Sequence, residues 1–242
     1  MDAPLAPVTT GSLTARSVVL SLLLGAHPAR LPVRHLLALG EEFGISPSTL
    51  RVALSRMVAA GDLTNEGAVY ALTPRHLARQ AAQDADLDPV ELPYDGTWDL
   101  VVVTGTGRDA ATRADHRAVM RARRMAELRE GVWTRPATLD VVAPIGPDVE
   151  VFAARPASDV DLAGRLWDLP AWAAVADTLL ATAHGGATLA TRFVNAAAIV
   201  RHLRTDPVLP PSLRPRHWPA AELRRAYETF RTELTDLHEE IA

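Results

Sequence analysis

The chain of 242 residues has no cysteine, which excludes disulfide cross-links and zinc–thiolate sites as sources of stability and favours a cytoplasmic home. Lysine is also absent: all 25 basic residues are arginine, which reads as genome composition rather than mechanism. Aromatic residues make up only 5%, so the core must be largely aliphatic. No apolar run approaches the roughly 20 residues that span a bilayer, which argues against a membrane partner. Arg16 and the apolar run 18–26 have the charge and length of a signal-peptide core, but Asp2 precedes them and no clean small-residue cleavage pattern follows. What remains is a globular balance of 48% hydrophobic and 22% charged residues, enough for two or three small domains.

The formal charge of −4 is unevenly spread. Residues 1–80 hold seven arginines against five acids, whereas residues 81–94 hold four acids and no base. A modestly basic head on an acidic body suits a protein that touches nucleic acid with one end, and suits one that coats it poorly.

Residues 46–72 are the most telling stretch. Ser46 is a natural N-cap, Pro47 fits the first helical position, and Gly61 is placed to end the helix in a left-handed conformation. Leu50, Leu54, Met57 and Val58 recur at helical spacing toward a core, leaving Ser48, Thr49, Arg51, Val52, Ser55 and Arg56 outside. Small, hydroxylated and guanidinium-bearing residues are what a helix needs to enter a DNA major groove. Two earlier segments supply partner helices: 14–25, with Val18, Val19, Leu22 and Leu23 on one stripe, and 32–43, with Val33, Leu36, Leu37 and Gly40. Gly44 turns the second into Ser46. Leu63 and Thr64 can pair with residues 69–72 across Asn65, Glu66 and Gly67, a hairpin wing.

Breaks in pattern divide the rest. Residues 1–13 read as a flexible tail, 14–83 as a winged helix-turn-helix domain ending in a helix over 74–85, and 84–94 as an acidic linker. Residues 95–156 hold a β-branched run at 98–103, an arginine-rich helical segment at 110–130, and short strands at 132–134 and 149–153, which suggests a ferredoxin-like α/β sandwich. Residues 157–242 form a C-terminal helical domain, with helices at 170–184 and 187–203 separated by Gly185-Gly186, and a last one at 219–240. Its inner stripe is Leu223, Ala226, Tyr227, Phe230, Leu234 and Leu237. The proline-dense loop 206–219 carries Leu209, Leu213 and Trp218, spaced to be pinned against a core.

Three regions resemble the PaaX-type repressors of phenylacetate catabolism: Thr49-Leu50-Arg51 and Leu54-Ser55-Arg56 within 48–61; the stretch 98–133 with Gly131-Val132-Trp133; and Trp167-Asp168-Leu169 with Asp206-Pro207-Val208-Leu209-Pro210 and His217-Trp218-Pro219. The resemblance implies an N-terminal winged helix, a middle domain similar to the CRISPR adaptation nuclease fold, a C-terminal helical domain, and a dimeric repressor released by an aryl acyl-CoA. Two departures stand out. Only a dozen residues separate Pro136 from Val149, so the middle domain is trimmed, and Ala220 stands where the family writes glycine.

The expectation is therefore an α+β regulator that binds double-stranded DNA as a homodimer on a pseudo-palindromic operator. Arg51 and Arg56 are placed for the groove, Ser48, Thr49 and Ser55 for bases or phosphates, and Arg34 and Arg75 for the backbone. An acyl-CoA or aromatic effector would sit where the middle and C-terminal domains meet, lined by Trp98, Trp133, Trp167 or Trp172, with Arg123 or Arg124 for a phosphate; the plain alternative is that these tryptophans are core. No cofactor, metal or catalytic residue is expected. A metal-dependent nuclease needs carboxylates at the end of its first strand, where Thr104 and Gly105 stand instead, with Asp99 at the opposite end. Gly105-Thr106-Gly107 is too short for a phosphate loop, and His184, His202 and His217 are dispersed. A protein-interaction adaptor with the same fold is the remaining alternative.

Overall fold

Ser46 and Gly61 bound the third helix by local chemistry alone. In the computed structural model, which describes residues 14–140, 148–185 and 187–240, α1 spans Ala15–Gly25, α2 Val33–Glu42 and α3 Pro47–Ala59. The expected tail 1–13, Gly186, and residues 141–147 of the stretch after Pro136 lie outside the described residues. The Thr14 and Ser46 hydroxyls accept hydrogen bonds from the amides of Ser17 and Thr49, satisfying otherwise orphaned donors at the starts of α1 and α3. Beyond α3, Gly61 sits at φ +70°. The amides of Gly61 and Asp62 then bond to the carbonyls of Val58 (3.0 Å) and Met57 (2.9 Å), a Schellman closure. Gly44 closes α2 in the same way.

Strands β1 (Arg30–Pro32), β2 (Leu63–Glu66) and β3 (Val69–Leu72) form an antiparallel sheet of order β1-β3-β2. The hairpin turn is only Gly67-Ala68, both at positive φ (57° and 65°), the mirror-image turn that matches strand twist. Asn65 and Glu66, expected in the loop, instead pair with Tyr70 and Val69, because a two-residue turn leaves them in register. Helix α4 (Pro74–Leu87) follows.

Further along lie β4 (Trp98–Val103), α5 (Ala110–Ala122), β5 (Ala126–Arg129), β6 (Val132–Pro136), β7 (Val149–Ala154), α6 (Asp159–Leu166), α7 (Leu169–His184), α8 (Leu189–Leu203), a 3-10 turn at Pro211–Leu213 and α9 (Ala220–Glu240). The chain divides into two compact units, one of residues 1–87, 179–200 and 222–242, the other of 88–178 and 201–221. These boundaries cut through α7 and α8 rather than following the consecutive segments 14–83, 95–156 and 157–242.

The first unit is winged-helix-like and packs on Val18, Val19, Leu22, Leu23, Leu36, Leu50, Leu54 and Met57, joined by Phe193 and Ala196 of α8 and by Phe230 and Leu234 of α9. Phe43 meets Phe193 with ring centroids 4.7 Å apart. Each fully buried aliphatic side chain contributes roughly 1.5–3 kcal/mol. Val58, expected on this stripe, is 37% exposed. It lies about 100° round the helix from Met57, and the core contact is too narrow to reach it.

In the second unit the antiparallel sheet has order β5-β6-β4-β7. The helical segment expected over 110–130 stops at Ala122: Arg124 takes φ +60°, and the Met125 amide closes on the Met120 carbonyl (3.1 Å) before the chain enters β5. No glycine advertises this stop. The buried Arg124 guanidinium donates to the carbonyls of Leu203 and Asp206, offsetting the roughly 1–2 kcal/mol that a left-handed non-glycine residue costs. Leu209 and Leu213 are buried in the proline-rich loop, and Trp218 stacks on Trp172 with centroids 4.4 Å apart. No helix among the described residues is long and apolar enough to cross a membrane.

Candidate nucleic-acid interface

Because Leu50, Leu54 and Met57 seal one side of α3, the opposite side is forced outward. Ser48, Thr49, Arg51, Val52, Ser55 and Arg56 are all exposed, and among the described residues Arg51 and Arg56 make no side-chain hydrogen bond or ion pair. At the N-terminus of α3 the Ser46 hydroxyl lies 3.0 Å from that of Ser48 and 2.9 Å from that of Thr49, a hydroxyl cluster where helix amides already favour anions. A shallow, open depression of about 680 Å³ runs beside α3, with Arg16, Val52 and Arg56 on its walls.

The base of that depression is Asp62, which the Schellman closure swings under the end of α3. Its side chain is only 3% exposed, and it binds Arg16 of α1 and Arg75 of α4. Arg16 Nη2 donates to Oδ2 at 2.9 Å, Arg75 Nη2 to Oδ1 at 2.6 Å, and His76 Nε2 lies 3.0 Å from Oδ1. The His76 hydrogen bond, followed by that of Arg16, holds the Asp62 carboxyl below its ordinary value. Both arginines keep most of their length in solvent, 57% for Arg16 and 70% for Arg75. One buried carboxylate thus orients two guanidinium groups whose remaining N–H donors face outward, the geometry that grips phosphate. Arg34, exposed at the start of α2, donates through Nε to His35 Nε2 at 3.2 Å. Arg16, Asp62 and His76 were not singled out for this site from the sequence; Arg16 invited the signal-peptide comparison, and only the fold brings it to residue 62.

This head coincides with a known family. Residues 14–76 match the family described as PaaX-like protein. Residues 14–76 are a PaaX-like domain. The likeness continues beyond the PaaX-like head: the chain is similar to a solved structure, the uncharacterized protein Rv0674 from Mycobacterium tuberculosis, at 47% identity and a TM-score of 0.87, covering 95% of this chain and 99% of that one. No curated protein matches it. PaaX-like proteins are typically transcriptional regulators.

The residues expected to line an effector pocket are distributed otherwise than one pocket requires. Register pairs Trp98 with Pro136 and Val101 with Trp133, so alternation puts Trp98 and Trp133 on opposite faces of the sheet. Trp98 is buried, donates its indole N–H to the Tyr94 hydroxyl at 2.9 Å, and packs near Trp167. Trp133 packs with Val101, Met120 and Met125. Trp172 is stacked between His202 and Trp218. The Arg124 guanidinium is committed to two carbonyls, and Arg123 caps the end of α5. For the nuclease alternative, Asp99 is tied to Arg135 at 3.1 Å, burial pushing its carboxyl up against the pull of that guanidinium. Among the described residues no group of three His, Cys, Asp or Glu side chains could hold a metal ion.

Proposed function

We propose that the chain is a sequence-specific DNA-binding transcriptional regulator, regulatory rather than enzymatic, whose α3 enters the major groove. One observation carries this reading: the outward face of α3 presents Ser48, Thr49, Arg51, Ser55 and Arg56 with both guanidinium groups unengaged. Arg51 and Arg56 read bases, the hydroxyls contact bases or phosphates, and Arg34 and Arg75 position the head on the backbone. The Asp62 clamp adds Arg16 to the backbone set. One winged head gives a small interface, so the regulator acts as a homodimer on two half-sites of a pseudo-palindromic operator. Counted from β4, the strand order 2-3-1-4 with a helix between the first two strands supports a trimmed ferredoxin-like domain following the head in sequence. In the repressor reading, an effector such as an aryl acyl-CoA favours the arrangement of heads that binds DNA weakly.

Footprinting of the gene's own upstream region, followed by anisotropy titration of the protected duplex, tests the proposal. Arg51→Ala costs about 1–3 kcal/mol on the operator and blurs base preference at one position, whereas Arg75→Ala weakens operator and random DNA alike and lowers the salt slope by about 1. Equal loss for Arg51→Ala on both duplexes refutes base reading by α3. Binding without a preferred site, collapsing as salt rises, leaves only non-specific electrostatics. Acyl-CoA thioesters titrated into the operator complex test release.

A further inference from the structure

A second cavity, of about 270 Å³, opens between α5 and the sheet of the second unit, and the DNA-binding reading makes no use of it. Its origin can be traced through the sequence. On α5, residues 113, 116, 117 and 120 share one face. Met120 is fully buried and holds that face against the strands, which brings Arg113, His116 and Arg117 over the sheet. Beneath them, register aligns Val101, Trp133 and Glu127 across three neighbouring strands, so all three point toward α5. The cavity is therefore floored by an indole and roofed by a basic helix face.

Polar groups around it are unspent. His116 Nε2 is buried and has no hydrogen-bond partner. Arg117 and Glu127 are half-buried, line the cavity, and make no hydrogen bond or ion pair among the described residues. Arg113 uses one Nη on the Arg108 carbonyl (2.7 Å), which leaves its other donors. Buried polar groups are satisfied in nearly all native structures, so the unpartnered His116 Nε2, facing one concavity beside half-buried Arg117 and Glu127 and exposed Arg113, fits a ligand site. Arg108, Arg113 and Arg117 line it with the carboxylates Glu127 and Glu130, and Arg108 is drawn to Asp148, 3.9 Å away, which leaves Arg113 and Arg117 as the lining cations without an ion pair among the described residues. The space, about 270 Å³, lies just under the roughly 300–1,000 Å³ of pockets that take drug-sized ligands, which suits a small one.

We infer that this cavity binds a small organic oxyanion. Arg113 and Arg117 grip its carboxylate or phosphate, His116 Nε2 hydrogen-bonds it, and its body rests on Trp133. Burial and the nearby Arg108 hold the His116 imidazole below its ordinary value, so the ring meets the ligand mainly uncharged. The inference rests on the second unit alone and stands whether or not α3 reads DNA.

The test is titration of the full-length protein with malonate and, separately, with inorganic phosphate, ionic strength being held constant with chloride. Indole fluorescence and the His116 ring resonances are followed together. At least one probe gives a saturable shift of the His116 signal, the malonate arm reporting a carboxylate site and the phosphate arm a phosphoryl site. Arg117→Gln and Arg113→Gln each weaken that probe at least tenfold, whereas Arg51→Gln on α3 leaves it unchanged. Among the described residues both guanidinium groups are free of ion pairs, so either variant suffices if the other fails to fold. No saturable shift with either probe, or wild-type affinity in the variants, overturns the site. Loss of operator recognition with anion binding intact would count against the DNA reading only.

Discussion

Replacing Asp62 by alanine removes the carboxylate on which α1, α4 and the end of α3 converge. Its three partners are unequal. His76 is buried with a side-chain exposure of 8%, and without the carboxylate its Nε2 is left with only the long 3.3 Å approach of Arg75 Nη2, a loss of about 2 kcal/mol. Arg16 and Arg75 stand mostly in water and regain hydration, so each loses only about 0.5 kcal/mol. We expect a total destabilisation of about 3 kcal/mol, a large fraction of the 5–15 kcal/mol typical of a domain. Urea unfolding followed by circular dichroism measures it as a lower midpoint at unchanged slope. A double-mutant cycle with His76→Ala then isolates the coupling, expected to be about 1–2 kcal/mol. A loss below about 0.5 kcal/mol, the range of an ordinary surface substitution, or strict additivity with His76→Ala, would show that Asp62 is an ordinary surface contact and that the clamp does not organise the head.

The same carboxylate gives the head an acid limit. Since its hydrogen bonds depress Asp62 from the ordinary 3.8, the stability it contributes is fully present above that value and disappears as pH falls through the folded-state value. The gap between wild type and Asp62→Asn therefore stays constant at neutral pH and narrows below about pH 4; a gap that persists in acid contradicts this. Ala68→Gly, at an exposed left-handed position in the wing turn, raises stability by about 1 kcal/mol, and a lower thermal midpoint would refute the turn geometry. Leu54→Ala empties a fully buried site on α3 and costs about 2–5 kcal/mol, read by the same urea titration.

Much of the head was legible because its signals are local. Ser46-Pro47 and Gly61 state where α3 begins and ends, and the spacing of Leu50, Leu54 and Met57 states which side is inward. The exposed residues of the candidate site follow from that by subtraction. What escaped depended on distant partners or on residues in unusual roles. β1 is three residues long and exists only through its pairing with β3. The end of α5 was hidden because arginine, not glycine, occupies the left-handed position 124, and β5 was thereby read as more helix. α6 is a single short helix of eight residues announced only by Ser158 and two acids in its first turn. The Asp62 clamp joins Arg16 to a carboxylate 46 residues away, a pairing that no spacing rule expresses. Between an effector pocket and core, the two readings the tryptophans allow, burial favours core for Trp98 and Trp133, the largest fully buried side chains among the described residues.

The aromatic seam of Phe43, Phe193 and Phe230 has a consequence for synthesis on the ribosome. Phe43 is made well before Phe193 and Phe230, so the layer that closes the head's core is encoded far downstream of it. A nascent chain therefore carries an unfinished head until α9 has been made, and a premature stop before codon 230 yields a product with raw apolar surface, exposed to proteases and aggregation. Only a chain extended through α9 presents α3 on a sealed foundation.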